Sequence, residues 1–81
     1  MAAAHGAGRT GLFYVSTHAL LRQMQRSVTR ADLQRALATA IRATHDGARD
    51  TWKLDGGIDL DGDDLTLVVA LQRGVVVVTV F

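Results

Sequence analysis

The chain has no cysteine, so a disulfide framework, a thiolate metal centre and thiol catalysis are all excluded. It has no apolar run approaching the roughly 20 residues of a membrane span. Its first residues, MAAAHGAGRTG, lack the basic segment and long apolar stretch of a secretory signal, so a cytoplasmic protein is expected. There is no excess of either charge: nine Lys+Arg against eight Asp+Glu leave +1, which favours no class of partner. Lysine is almost missing as well. Every cation but Lys53 is arginine, whose planar fork suits bidentate recognition of phosphate or carboxylate.

What is present is an ordinary globular composition, 48% hydrophobic and 21% charged over 81 residues, which predicts one domain with a packed core. The charges are segregated. Arg9, Arg22, Arg26, Arg30, Arg35, Arg42 and Arg49 are opposed in their part of the chain only by Asp32 and Asp46. From Asp50 onward Asp50, Asp55, Asp59, Asp61, Asp63 and Asp64 face only Lys53 and Arg73. The half that reads as helical is basic and the half that reads as strands is acidic.

Residues 1–11 are rich in alanine and glycine without periodicity and read as a mobile leader to a single domain over 12–81. Leu12–Ser16 reads as a first strand, after which Ser16 or Thr17 caps a helix from about His18 to Arg26. On that helix Leu20, Leu21 and Met24 gather on one side, whereas His18, Arg22, Gln25 and Arg26 gather on the other, predicting a buried apolar face and a wet polar one. Thr29 and Asp32 form a capping box for a second helix from about Arg30 to Thr44, burying Leu33, Ala36, Leu37, Ala40 and Ile41, with Gly47 as its C-cap. TWKLDGG reads as a strand running into a turn. LTLVVAL and VVVVTVF, joined by Gln72-Arg73-Gly74, read as a bulged hairpin with Gly74 in the left-handed position. The expected class is α+β, in the order β-α-α-β-β-β, with an antiparallel sheet and two helices packed on one face.

DLDGDD resembles the start of a calcium loop, but counting from Asp59 puts Ala70 where the bidentate glutamate belongs. No metal and no cofactor are therefore expected. HGAGRTG precedes a strand instead of following one, the wrong context for a phosphate cradle. His5 and His45 fall in or near loops without matched ligands and read as exposed and inert. His18 differs, because it falls in the first turn of a helix, where the macrodipole disfavours extra positive charge. A neutral imidazole there can act as a general base, while Arg22 stabilises developing negative charge and Arg26 holds a neighbouring phosphate. Those are the parts of metal-independent RNA cleavage. Spacing alone favours a plain surface helix, since any such helix shows polar residues at i, i+4.

The run STHALLRQMQRSVTRADLQRAL resembles the signature of a small prokaryotic domain family of unknown function, T-x-H-A-x-x-R-M-x-x-R-G-I-S-x-x-D-I, in which two helices follow a strand and the last strand is of V-x-T-V type. That family is similar to the BrnT and RelE ribonuclease toxins, within the barnase, EndoU, colicin and RelE class. Thr17, His18, Ala19, Arg22, Arg26, Val28, Asp32 and Leu33 fall on the pattern, and VVTVF falls on its end. Two positions depart: the methionine after Arg22 is displaced to Met24, and the usual glycine after the second arginine is Ser27. The resemblance implies His18, Arg22 and Arg26 as a catalytic site, with Thr79 presenting its hydroxyl. Trp52 is then a candidate to stack on a base and Lys53 to meet a phosphate, with core packing the competing role for Trp52 and a plain strand position for Thr79. The implied function is a toxin-like RNA-binding domain acting as a metal-independent endoribonuclease, held by an antitoxin that touches the terminal hairpin. The alternative is a non-enzymatic protein-binding module, an inhibitor or complex subunit, that uses its basic helix or pairs its last strand with another sheet.

Overall fold

The computed structural model describes Met1–Phe81. The chain runs as α1 (Ala2–Thr10), β1 (Tyr14–Val15), α2 (Thr17–Arg26), α3 (Arg30–Thr39), β2 (Arg42–Asp46), β3 (Thr51–Asp55), β4 (Leu67–Leu71) and β5 (Val75–Val80). The class is α+β, as expected. One sheet has the order β1-β5-β4-β3-β2, antiparallel except that β1 runs parallel to β5. The expected antiparallel sheet is thus mixed, because β1 reaches β5 from across the chain and no hairpin dictates its direction. No helix is long and apolar enough to cross a membrane.

Residues Ala2–Thr10, expected to be a mobile leader, form α1 and pack on α3. Alanine is the best helix former, and the small residues Ala4, Ala7 and Gly8 lie at i, i+3, i+4 as a seam that admits close approach. A Cβ on Gly8 would stand 2.6 Å from the Ala38 α-carbon. The contact is also hydrogen-bonded: Gln34 Nε2 donates to Gly8 O at 2.9 Å, and His5 Nε2 lies 2.8 Å from Ala40 O. His5 is therefore part of a helix contact and not an idle loop residue. Gly11 ends α1 at φ 74.

The capping box forms as predicted: Asp32 N donates to Thr29 Oγ1 at 3.1 Å, and Thr29 N donates back to Asp32 Oδ2 at 2.9 Å. With Leu60 N also donating to Asp32 Oδ1, these amides hold the Asp32 carboxyl below the usual carboxylate range. The helix they start stops at Thr39, short of the expected Thr44. Ala40 turns extended at ψ 138, and Arg42–Asp46 pairs with β3 instead. Ile41, expected in the core, is consequently 80% exposed. A helical period of small and apolar residues continues through ATAIRAT, but five sheet pairings to Thr51–Asp55 outweigh it.

The largest correction concerns α2. Its apolar stripe was expected to be buried, yet Leu20, Leu21 and Met24 are 50%, 53% and 78% exposed, and Ala19 is the one residue it buries. The cause lies in where the helix docks. It runs beside β5, whose free carbonyls need donors: Ser16 Oγ donates to Val78 O at 2.9 Å and Arg22 Nε to Val80 O at 3.2 Å. A small residue and hydrogen-bond donors therefore face the sheet, and the leucines turn outward. Ser27 closes α2 in the left-handed conformation at φ 55, the place the resemblance gives to glycine. Ser27→Gly should accordingly raise the unfolding free energy by ~0.5–1 kcal/mol, read as a higher urea midpoint at unchanged slope.

The core lies between one face of the sheet (Leu54, Leu67, Val69, Val75, Val77, Val80) and α1 and α3, which supply Ala4, Ala7, Leu33, Ala36 and Leu37. Nothing polar or charged is buried. Of the three helices, α1 and α3 cover this face, α2 flanks β5, and the opposite face carries no helix. The predicted hairpin is present through Gln72-Arg73-Gly74, with Arg73 at φ 54 and Gly74 at φ 121. Its strand β5 lies between β1 and β4, so the last strand is not the free edge it was expected to offer for pairing.

Candidate functional site

The helix-free face is organised by the strand register. Thr44 pairs with Lys53, Lys53 with Val68 and Val68 with Thr79, one row across four strands. Thr79 reaches this row through an irregularity: Val68 pairs with Thr79 but Val69 with Val77, leaving Val78 as an extra residue. Such a bulge cancels one alternation. Val78 and Thr79 both turn to the open face, while Val77 and Val80 on either side stay in the core. Without the extra residue, Thr79 would point among the valines.

These residues floor a cleft of about 430 Å³ whose lining includes His18, Thr44, Arg49, Lys53, Thr79 and Phe81. His18 enters from the first turn of α2, anchored by the Ser16 cap, whose Oγ also accepts from Ala19 N at 3.1 Å. Arg49 comes from the β2–β3 turn, and Lys53 rises from the middle of β3. His45 Nε2 lies 3.0 Å from Asp50 Oδ1, and no carboxylate pairs with Arg49 or Lys53, which leaves both free to meet an anion. Of the acids only Asp46 lines the cleft, and its Oδ1 accepts from Ala48 N at 3.1 Å. The cleft lining therefore contains two unpaired cations, two histidines (His18 and His45) and threonines on an open sheet.

Of the residues singled out from sequence, His18, Lys53 and Thr79 meet here. The others do not. Arg22 is spent on the Val80 carbonyl and also donates to Gln25 Oε1 at 3.5 Å, and Arg26 lies exposed in the last turn of α2, outside the cleft lining. An i, i+4, i+8 row extends along the helix axis by about 12 Å, so only its first member reaches the sheet face. Trp52 sits on the core face, one position and hence one face away from Lys53. It packs on the core with its ring 4.5 Å from that of His45, which is a strand residue here and not a loop one.

Arg49, Thr44 and Asp46 were missed because β2 and its turn were read as the end of a helix. The available signal was DGARD, a glycine-containing loop between two short β-branched runs. In the acidic loop, the carboxylates of Asp59, Asp61 and Asp63 lie within 4.8 Å of one another, but Asp59 Oδ1 accepts from the amides of Asp61 and Asp63, both at 2.9 Å. No family pattern, curated protein or solved structure matches the chain.

Proposed function

We infer that the open cleft binds single-stranded RNA and cleaves it without a metal. The observation that carries this reading is the convergence of His18, Lys53 and Thr79 with Arg49 on the one face that no helix covers. In the cleavage step His18 takes the 2′-hydroxyl proton, and the 2′ oxygen forms a bond to phosphorus as the bond to the 5′ oxygen breaks. The products are a 2′,3′-cyclic phosphate and a 5′-hydroxyl end, whose proton comes from the imidazolium. Lys53 and Arg49 stabilise charge on the non-bridging oxygens, and Thr79 donates to one of them. None of the acids from Asp50 onward lines the cleft.

The test uses a short fluorescent single-stranded RNA. His18→Ala should lower the cleavage rate ~10²–10⁴-fold with binding retained. Lys53→Ala and Arg49→Ala should each weaken binding and flatten the log-affinity against log-salt slope by ~0.7. Cleavage that survives His18→Ala sinks the catalytic assignment, and binding that ignores both cation substitutions sinks the RNA assignment.

The outward stripe of Leu20, Leu21 and Met24 favours a second role, a docking face on the basic helix for a protein partner of the antitoxin kind. Leu21→Asp would then end binding of a protein encoded beside this chain and leave RNA affinity unchanged.

A further inference from the structure

The sheet has a free edge at β2, and the residues along it are complementary to themselves. The strand reads Arg42-Ala43-Thr44-His45-Asp46. Set antiparallel to a copy of itself about Thr44, it places Arg42 opposite Asp46 of the partner subunit, Asp46 opposite the partner's Arg42, and Thr44 opposite the partner's Thr44. Opposite charges and threonine pairs directly across a ladder are both favourable. Natural sheet edges are guarded by like charges, lysine or proline. This one has no proline and no lysine, and its two charges attract a second copy where a single sign would repel it.

We propose that β2 pairs with β2 of a second copy across a two-fold axis, forming a continuous ten-stranded sheet, since each copy brings five. Three observations besides the charge order support the register. Arg42 has no ion-pair partner in its own chain, and Asp46 uses only Oδ1, leaving Oδ2 open. Ile41, 80% exposed, comes to lie opposite Gly47 of the partner subunit, around which a side chain would find open space. A small gap of about 70 Å³, lined wholly by apolar residues including Met1, Ala43 and Trp52, also lies on the core face beside this edge, so the apolar layer continues up to the axis.

The pairing matters to the cleft, whatever it binds. Asp46 and Thr44 line the cleft on its β2 side, so Arg42 of the partner subunit neutralises the one acid at its rim. The two clefts lie on the same face of the joined sheet, side by side across the axis.

Sedimentation velocity over a concentration series tests the pairing. The wild-type chain should dimerise, and Arg42→Asp, which sets two aspartates against each other twice per dimer, should weaken the dimer at least ~10-fold. Arg42→Asp with Asp46→Arg restores the complementarity and should return the dimer to near wild-type strength. Because the chain lacks cysteine, Thr44→Cys gives an unambiguous second readout. It should oxidise to a covalent dimer across the axis, whereas Ala43→Cys, whose α-carbon would sit ~8 Å from its copy, should not. A wild type that stays monomeric, an Arg42→Asp dimer of unchanged strength, a swap as weak as the single variant, or equal cross-linking from both cysteines would each overturn the proposal.

Discussion

Gly8→Val should cost about 3 kcal/mol of unfolding free energy, among the largest effects available to a single substitution outside the central core. A Cβ at this position would stand 2.6 Å from the α-carbon and 2.7 Å from the β-carbon of Ala38. Backbone cannot swing aside as a long side chain can, so α1 must lift from α3. That movement breaks the bond from Gln34 to the Gly8 carbonyl and the contact of His5 with Ala40, and it uncovers Ala4 and Ala7. Guanidinium unfolding followed by circular dichroism reads the loss. Gly6→Ala is the matched control: its Cβ would meet only the Arg9 guanidinium, at 3.8 Å, so helix propensity should raise stability by ~0.5–1 kcal/mol. Equal stability of Gly8→Val and wild type would mean that α1 does not dock.

Leu37→Ala should cost ~2–5 kcal/mol, through lost transfer free energy and the cavity left behind. Leu37 is fully buried on α3, the helix that lies against α1 and helps enclose the sheet's valines. A chain of this length has a total stability of ~5–15 kcal/mol, so the substitution removes a large share of it. The same measurement decides. A loss below ~1 kcal/mol would show that the layer between α1, α3 and the sheet is not close-packed there. Leu21→Ala on α2 should by contrast change little, because its side chain is half exposed.

The parts of this fold that could be read from sequence are those set by local chemistry. The Thr29–Asp32 box needs only its own four residues, and the hairpin of β4 and β5 needs two β-branched runs and a turn with Gly74. The missed parts depend on partners distant in sequence. Whether ATAIRAT is helix or strand is settled by the presence of β3, and whether Ala4, Ala7 and Gly8 form a seam is settled by Ala38. The face of α2 was misjudged for the same reason. Amphipathicity states that a helix has two sides, but the free carbonyls of Val78 and Val80 determine which side docks. The candidate site followed this division. His18, Lys53 and Thr79 were each recognisable by residue type, while the register and the bulge that bring two of them into one row leave no sequence mark.

The parallel pairing of Val15 with Val77 also has a consequence for the order of assembly. Ser16 caps α2 locally through Ala19 N, but its hydroxyl ties the helix to the sheet by reaching Val78, 62 positions later, and that loop must close before those contacts give any return. The β4–β5 hairpin and the α1–α3 pair can each gather through nearer neighbours, whereas β1 and α2 lack their sheet contacts until β5 is in place. His18 thus reaches the cleft only once β5 is in place, and a chain in which α2 has not docked on β5 holds Lys53 on its strand without His18 beside it.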